Sequence, residues 1–228
     1  FRSETLCLLG GSGSGKSVML KLLIGLLEAD AGSIRFDGQE ITDLDEQTLL
    51  PVRRRISMLF QGGALFDSLS VSENVAYPLR EHGGLSEEEI SGIVAKKLAL
   101  VGLPGIEELR PSELSGGMQK RVALARAIAA APEVILYDEP TTGLDPIMAD
   151  VINDLIASCV KKLGSTAVTI THDMASVRKI ASRVAMIYQG KMIWDGPVSA
   201  IDSSGNPYVE QFVHGRAEGP ITDEKKRA

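Results

Sequence analysis

The 228-residue chain carries 24 Lys and Arg against 30 Asp and Glu, a net charge of −6, with 44% hydrophobic and only 4% aromatic residues. That balance excludes a sequence-independent grip on DNA or RNA, and so few aromatics offer no base-stacking platform. The length fits one large domain, or a domain with a subdomain, and the apolar fraction suffices for a substantial core.

Two cysteines, Cys7 and Cys159, lie inside apolar segments and read as buried thiols of a reducing compartment. The longest apolar stretch, VALARAIAAAPEVILY, is broken by Arg126, Pro132 and Glu133, short of the ~18–20 residues of a membrane span. No signal peptide is legible, so a cytosolic protein is expected. The chain enters its first strand almost at Phe1, without a start methionine, which suggests further residues upstream.

TLCLL (5–9) reads as a buried strand, and KSVMLKLLIGLLEA (16–29), after a glycine loop, as a helix. SIRFDG (33–38) predicts a strand and turn, and ISMLF (56–60) a strand running into Gln61. From 62 to 128 the periodicity turns helical, with turns at HGG (82–84) and GLPG (102–105) and a helix start at SEEE (86–89). Strands return at VILYD (134–138), TAVTI (166–170) and VAMIY (184–188), with helices at 146–163 and 173–181. Strands spaced by helices predict a mostly parallel sheet covered on both faces. The expected division is a core of 1–61 and 129–199, a helical subdomain of 62–128 and a tail of 200–228. The polar end ITDEKKRA (221–228) is expected to fray.

Gly10, Gly11, Ser12, Gly13, Ser14, Gly15, Lys16 and Ser17 match G-x-x-x-x-G-K-[ST] between a predicted strand and helix, the context a phosphate loop requires. Backbone N–H groups turned inward by glycines, with the helix N-terminus behind them, hold an anion. Lys16 can reach the terminal phosphates and the Ser17 hydroxyl can ligate Mg²⁺. The bland alternative is a flexible glycine turn with a solvated lysine. VILYDEP adds Asp138 at a strand's carboxyl end, suited to Mg²⁺, and Glu139, able to orient or deprotonate an attacking water. Acids also commonly follow strands as turn or cap residues. His172, after TAVTIT, belongs at the same sheet edge, where it could contact a γ-phosphate, and on the residues alone reads equally as functional or bland.

LSGGMQKR (114–121) places the N–H groups of Ser115, Gly116 and Gly117 at a second helix N-terminus, another anion site far along the chain. Two such sites make sense if each completes the site of another subunit, in a head-to-tail two-fold pair sandwiching two nucleotides. LSGGMQKRVALARA resembles the signature motif of ATP-binding cassette (ABC) ATPases. In the order of that family, Gly10–Ser17 is similar to Walker A, Gln61 to the Q-loop glutamine, VILYDEP to Walker B, Thr142-Gly143-Leu144-Asp145 to the D-loop and His172 to the switch histidine. The resemblance covers residues 4 to 197.

It implies a P-loop NTPase (RecA-like) α/β core with an inserted helical subdomain. It further implies ATP and Mg²⁺ as ligands: Lys16 and the loop amides on the phosphates, Ser17 and Gln61 on Mg²⁺, Glu139 as base, His172 on the γ-phosphate. Asp145 would link the two sites of a homodimer, and Gln61 would transmit their opening to an integral membrane permease. The family stacks adenine on an aromatic residue upstream of Walker A; Phe1 lies too close to the first strand to be that residue.

ISMLFQGGALFDSLSVSENVAYPLREH (56–82) and YVEQFVHGRAEGPI (208–221) are similar to segments of the ATPases of Mla/MCE-type phospholipid transport systems. That implies phospholipid transport between bacterial membranes, an MCE-domain lipid-binding protein in the complex, and a cytoplasmic location, peripheral on the inner membrane. The tail is expected to pack on the neighbouring ATPase subunit. Leu65 and Phe66 read as an apolar docking pair, or as residues buried in the helical block. Alternatives are an importer ATPase for polar solutes such as amino acids and a non-transport ABC ATPase of repair or translation. The second lacks its usual coiled-coil insertion or second cassette here. A P-loop kinase or GTPase does not explain LSGG.

Overall fold

The structure, a computed structural model, describes residues 3–225, with side chains to residue 223. Phe1 and residues 226–228 of the tail therefore lie outside the described residues.

Six strands make one sheet, ordered β4-β5-β6-β1-β7-β8. They are β1 (Thr5–Leu9), β4 (Ile56–Leu59), β5 (Val134–Asp138), β6 (Thr166–Ile170), β7 (Arg183–Tyr188) and β8 (Lys191–Pro197). The first five named run parallel to their neighbours and β8 pairs antiparallel with β7. A two-stranded ribbon, β2 (Arg35–Phe36) with β3 (Gln39–Glu40), turns at Asp37 (φ 51°) and Gly38 (φ 83°). This is the left-handed pair that the predicted Asp-Gly turn requires.

Alternation along the strands sets the two faces of the sheet. Leu8, Leu136, Ile170 and Ala185 pack with Leu20 of α1 (Lys16–Leu23). Cys7, Leu9, Ile135, Tyr137, Val184 and Met186 point the other way. There they meet Ile152, Ile156 and Cys159 of α6 (Pro146–Leu163) and Val177 of α7 (Met174–Ile180). Both cysteines are free and buried, and burial pushes the Cys7 thiol up to about 12 and the Cys159 thiol up to about 11, well above the range of reactive thiols.

Between β4 and β5 the chain builds α3 (Val71–His82), α4 (Glu87–Leu100) and α5 (Gly116–Ala127). The first two start on capping boxes, Ser70 with Glu73 and Ser86 with Glu89, in which side chain and backbone satisfy each other's free groups. Residues 62–70, expected to be helical, form a loop instead. Its shape is held by Asn74 (0% exposed), which accepts from Phe66 N at 2.8 Å and donates to the carbonyls of Phe66, Leu69 and Ser70.

Three other expectations are corrected. The first helix stops at Leu23, not residue 29, because Gly25 (φ 66°) closes it with bonds Gly25 N to Leu22 O and Leu26 N to Lys21 O. A side chain at Gly25 would also stand 2.2 Å from Leu49 of α2 (Glu46–Arg53). Helix α2 itself was not foreseen, because Pro51 within it hides its helical signal. Strand β8 was missed as well: it is an edge strand ending in Gly-Pro, reached through a two-residue turn at Gln189 (φ 47°) and Gly190 (φ 74°).

The tail forms α8 (Pro207–Val213) and α9 (Pro220–Lys225), so residues 221–225 are helical where fraying was expected. Gln211 (5% exposed) holds the two together, accepting from Ile221 N at 2.8 Å and donating to Arg216 O and Thr222 Oγ1. Gly219 (φ 147°) is required beside it, since a Cβ there would lie 2.6 Å from the Gln211 side chain.

Ile156 is fully buried between α6 and the sheet. The substitution Ile156→Ala is expected to destabilise the fold by about 2–5 kcal/mol, read as a lower urea midpoint at unchanged slope.

Candidate nucleotide-binding site

Parallel strands end together, so the loops after β1, β4, β5 and β6 share one edge of the sheet. A cavity of about 580 Å³ opens there, lined by Gly10, Ser12, Gly13, Ser14, Gly15, Lys16, Ser17, Val18, Gln61, Glu139, Ile170 and His172. A larger cavity of about 830 Å³ lies at the opposite edge, where β5 and β6 begin at Val134 and Thr166. It has no glycine loop and no lysine.

The loop's shape depends on glycine at its first position. Gly10 (φ 154°) passes so close to β7 that a Cβ would meet Ile187 O at 2.5 Å. Gly15 (φ 93°) caps α1 with no side chain on the exposed N–H groups, and no acid stands in the first turn. The helix end is therefore open to an anion. Ser14 Oγ is buried without a hydrogen-bond partner, an orphaned donor at the same cradle. Lys16 is folded back, donating to Gly10 O at 2.8 Å and Gly11 O at 2.9 Å. Burial lowers its pKa, opposed by the negative charges of Glu139 and Asp138.

Ser17 Oγ donates to Asp138 Oδ1 at 3.1 Å, tying the loop to the end of β5. Glu139, next along, has φ 51°, a left-handed conformation that side chains other than glycine rarely adopt. The negative charges of both carboxylates act on Lys16. Glu139 Oε2 accepts from Thr142 Oγ1 at 2.7 Å and lies 2.7 Å from His172 Nδ1. Neither contact uses Oε1. His172 borders the cavity.

Two residues that the sequence did not single out join α5 to the loop after β4. Lys120 (8% exposed) donates from Nζ to the carbonyl of Gln61. Arg126 donates to Gly63 O at 2.6 Å and Ala64 O at 2.8 Å, with its guanidinium over the Phe66 ring. Burial lowers the pKa of Lys120, again against the pull of Glu139 and Asp138. In the sequence Lys120 stands out only as a member of the run QKRVALAR, and Arg126 only as a break in an apolar stretch. Nothing local marks one basic residue as buried and another as solvated. Of the apolar pair, Phe66 is exposed and stacked on Tyr77 at 4.9 Å, whereas Leu65 is half-buried against the core.

Ser115, Gly116, Gly117 and Asp145 do not line the cavity. Ser115 is the N-cap of α5, accepting from Met118 N at 3.3 Å, and Ser115 and Gly116 are exposed. A Cβ on Gly117 would meet Met148 of α6 at 3.1 Å. Asp145 is the N-cap of α6, accepting from Ile147 N and Met148 N at 3.0 Å. The N-terminus of α5 thus lies at the surface, separate from the cavity.

The donors beside the loop suit Mg²⁺: the Ser17 hydroxyl, the Asp138 carboxylate and Gln61 offer hard oxygens, and Ser17 and Asp138 already meet at 3.1 Å. Among the described residues, no group of three or more His, Cys, Asp and Glu could hold a metal by itself. Phosphate and water would complete the shell, the arrangement Mg²⁺ prefers.

The fold and this cavity define a P-loop nucleotide-binding protein. A family model described as ABC transporter matches residues 1–142, and the chain belongs to that family. It is 44% identical over 96% of its length to the Escherichia coli intermembrane phospholipid transport system ATP-binding protein MlaF, covering 82% of that protein. Against the Mycobacterium tuberculosis probable ribonucleotide transport ATP-binding protein mkl, it is 43% identical over 99% of its length. It spans only 63% of that relative. The chloroplastic protein TRIGALACTOSYLDIACYLGLYCEROL 3 of Arabidopsis thaliana is 44% identical over 96% of the chain. A dimeric ATP-binding cassette solved with ADP and Pi superposes with a TM-score of 0.80 at 33% identity, covering 87% of each chain.

Replacing Lys16 with Ala removes the cation from the cradle while leaving the glycine turns. ATP affinity is expected to fall roughly ten- to hundred-fold in titration with a fluorescent ATP analogue, with the unfolding midpoint unchanged.

Proposed function

We propose that this chain is the ATP-binding and ATP-hydrolysing subunit of an ABC transporter, working as a head-to-tail homodimer that encloses two nucleotides. The observation that carries this reading is the convergence of Lys16, Ser17, Glu139 and His172 on one cavity, with Asp138 behind Ser17. In each composite site the loop amides and Lys16 of one subunit hold the phosphates, and Ser115–Gly117 of the other close over them. The exposed α5 N-terminus supports that sharing, as does the dimeric state of the solved cassette.

Hydrolysis then follows from charge and position, since phosphoryl transfer asks little covalent chemistry of the protein. Glu139 Oε1 accepts a proton from water as the water oxygen bonds to the γ-phosphorus. The bond to the ADP oxygen breaks, and phosphate leaves. His172 and Thr142 hold Glu139 by its other oxygen. Bound Mg²⁺, held by Ser17, Asp138 and Gln61, would neutralise phosphate charge. Asp145 lies at the start of α6, where it would connect the paired sites.

The cargo is phospholipid, moved between bacterial membranes through an integral membrane permease and an MCE-domain lipid-binding protein. The chain would sit peripherally on the cytoplasmic face of the inner membrane. Among the described residues no helix is long and apolar enough to cross a membrane. Supporting the lipid reading are segments 56–82 and 208–221 and the phospholipid system named for the Escherichia coli relative. The exposed Phe66–Tyr77 pair offers the permease an aromatic foothold. A polar-solute importer is the second reading, favoured by the ribonucleotide transport named for the mycobacterial relative.

Glu139→Gln is expected to abolish turnover, retain ATP and accumulate an ATP-dependent dimer on size-exclusion chromatography; undiminished hydrolysis would contradict the role of Glu139. Mixing Ser115→Arg with Lys16→Ala subunits leaves one composite site intact in each heterodimer, so partial activity should return. To separate the cargo readings, the full-length protein is purified from detergent-solubilised membranes and its companions identified by mass spectrometry. Recovery of a permease, an MCE-domain protein and phospholipid supports the lipid reading. A permease with a soluble solute-binding protein supports the other.

A further inference from the structure

Away from the nucleotide cavity, a polar cluster is buried where α6 packs against α7. Asn153, two turns into α6, is 2% exposed, and Ser176, in the first turn of α7, is 0% exposed. The flanking α6 residues Ile152 and Ile156 belong to the apolar core. An amide in such surroundings costs stability unless it is bonded. Asn153 Nδ2 donates to Ser176 Oγ at 2.8 Å, and Ser176 Oγ donates to Asp173 Oδ2 at 2.6 Å. Thr141 Oγ1 lies 3.5 Å from the same hydroxyl.

Capping does not require this bridge. Asp173 already caps α7 by accepting from Ala175 N at 3.0 Å and Ser176 N at 3.2 Å. The Asn153–Ser176 bond is additional, and a leucine of similar size would fill the space without a polar atom to satisfy. What the bond adds is a fixed register between two helices. One begins at Asp145. The other begins at Asp173, immediately after His172, whose Nδ1 lies 2.7 Å from Glu139 Oε2. A cavity of about 350 Å³ bordered by Thr142, Leu144, Asn153, His172 and Asp173 separates the loops at their ends. The bridge is therefore a direct polar link behind a gap, and Asn153 Oδ1 remains buried without a partner beside it.

We propose that Asn153 is a positioning residue that acts through Ser176 and Asp173. It makes the His172–Glu139 contact follow the placement of the helix starting at Asp145, so that movement of that helix is felt at the hydrolytic centre. The inference rests on the ATPase reading above.

The test uses Asn153→Leu, Ser176→Ala and the double variant in the full-length protein, measuring ATP turnover, ATP affinity and thermal unfolding. Each single variant is expected to lower kcat roughly three- to thirty-fold with ATP affinity retained; Asn153→Leu keeps the unfolding midpoint, whereas Ser176→Ala, which leaves the Asn153 amide unbonded, lowers it. The double variant should be no worse than the poorer single one, because both substitutions cut the same link. Unchanged kcat in both single variants overturns the proposal. So do additive losses, or a fall in turnover that merely tracks ATP affinity or thermal stability, since either makes the pair a packing element. A wild-type protein that binds ATP and turns it over keeps those outcomes separate from failure of the ATPase reading; a wild type that does neither overturns both.

Discussion

A polyanion such as a triphosphate must be met by many donors at once, and a compact fold supplies them most cheaply where backbone amides already point. The parallel alignment of β5, β6 and β1 creates that place. The register sets Asp138 beside Ile170 and Leu8 beside Ile170, so three loops leave the sheet at one level. The glycine loop, the two acids and His172 come together because of that alignment and not because of their distances along the chain. Reversing one strand would scatter them.

The local electrostatics are arranged around desolvated cations. Lys16 and Lys120 are both buried, and both feel Glu139 and Asp138. Burial lowers the pKa of both amines, and the acids oppose that shift. Lys16 meanwhile rests on loop carbonyls that arriving phosphates would replace as partners.

Helix α5 has two ends with different partners. Its N-terminus, at Ser115, is open to solvent. Along its length, Lys120 and Arg126 grip the carbonyls of Gln61, Gly63 and Ala64, and Asn74 secures the backbone of Phe66 beyond them. Charge-assisted bonds of this kind are stiff relative to a free loop. A displacement of α5 would accordingly be carried through the loop to the exposed Phe66–Tyr77 pair. In the tail, Gln211 does a comparable job for α8 and α9, which explains physically why a glutamine at 211 is paired with a glycine at 219.

The sequence by itself determined the features whose causes are local. The P-loop followed from glycine spacing, α6 from a helical stretch between two strands, β1, β5 and β6 from short apolar runs, and the Asp37-Gly38 turn from its residue types. The phosphate loop and its acids were legible for the same reason, because each motif carries its strand and helix with it. Tertiary structure decided the rest. Strand β8 exists because β7 offers an edge, and α2 persists despite Pro51 because Leu49 and Val52 are buried. That Lys120 is a buried tether, that Asp145 stands outside the first cavity and that Asn153 bonds across to α7 depend on which elements pack together. Residues far apart in the chain acquire partners only when the sheet order is set, and no periodicity in the sequence records that order.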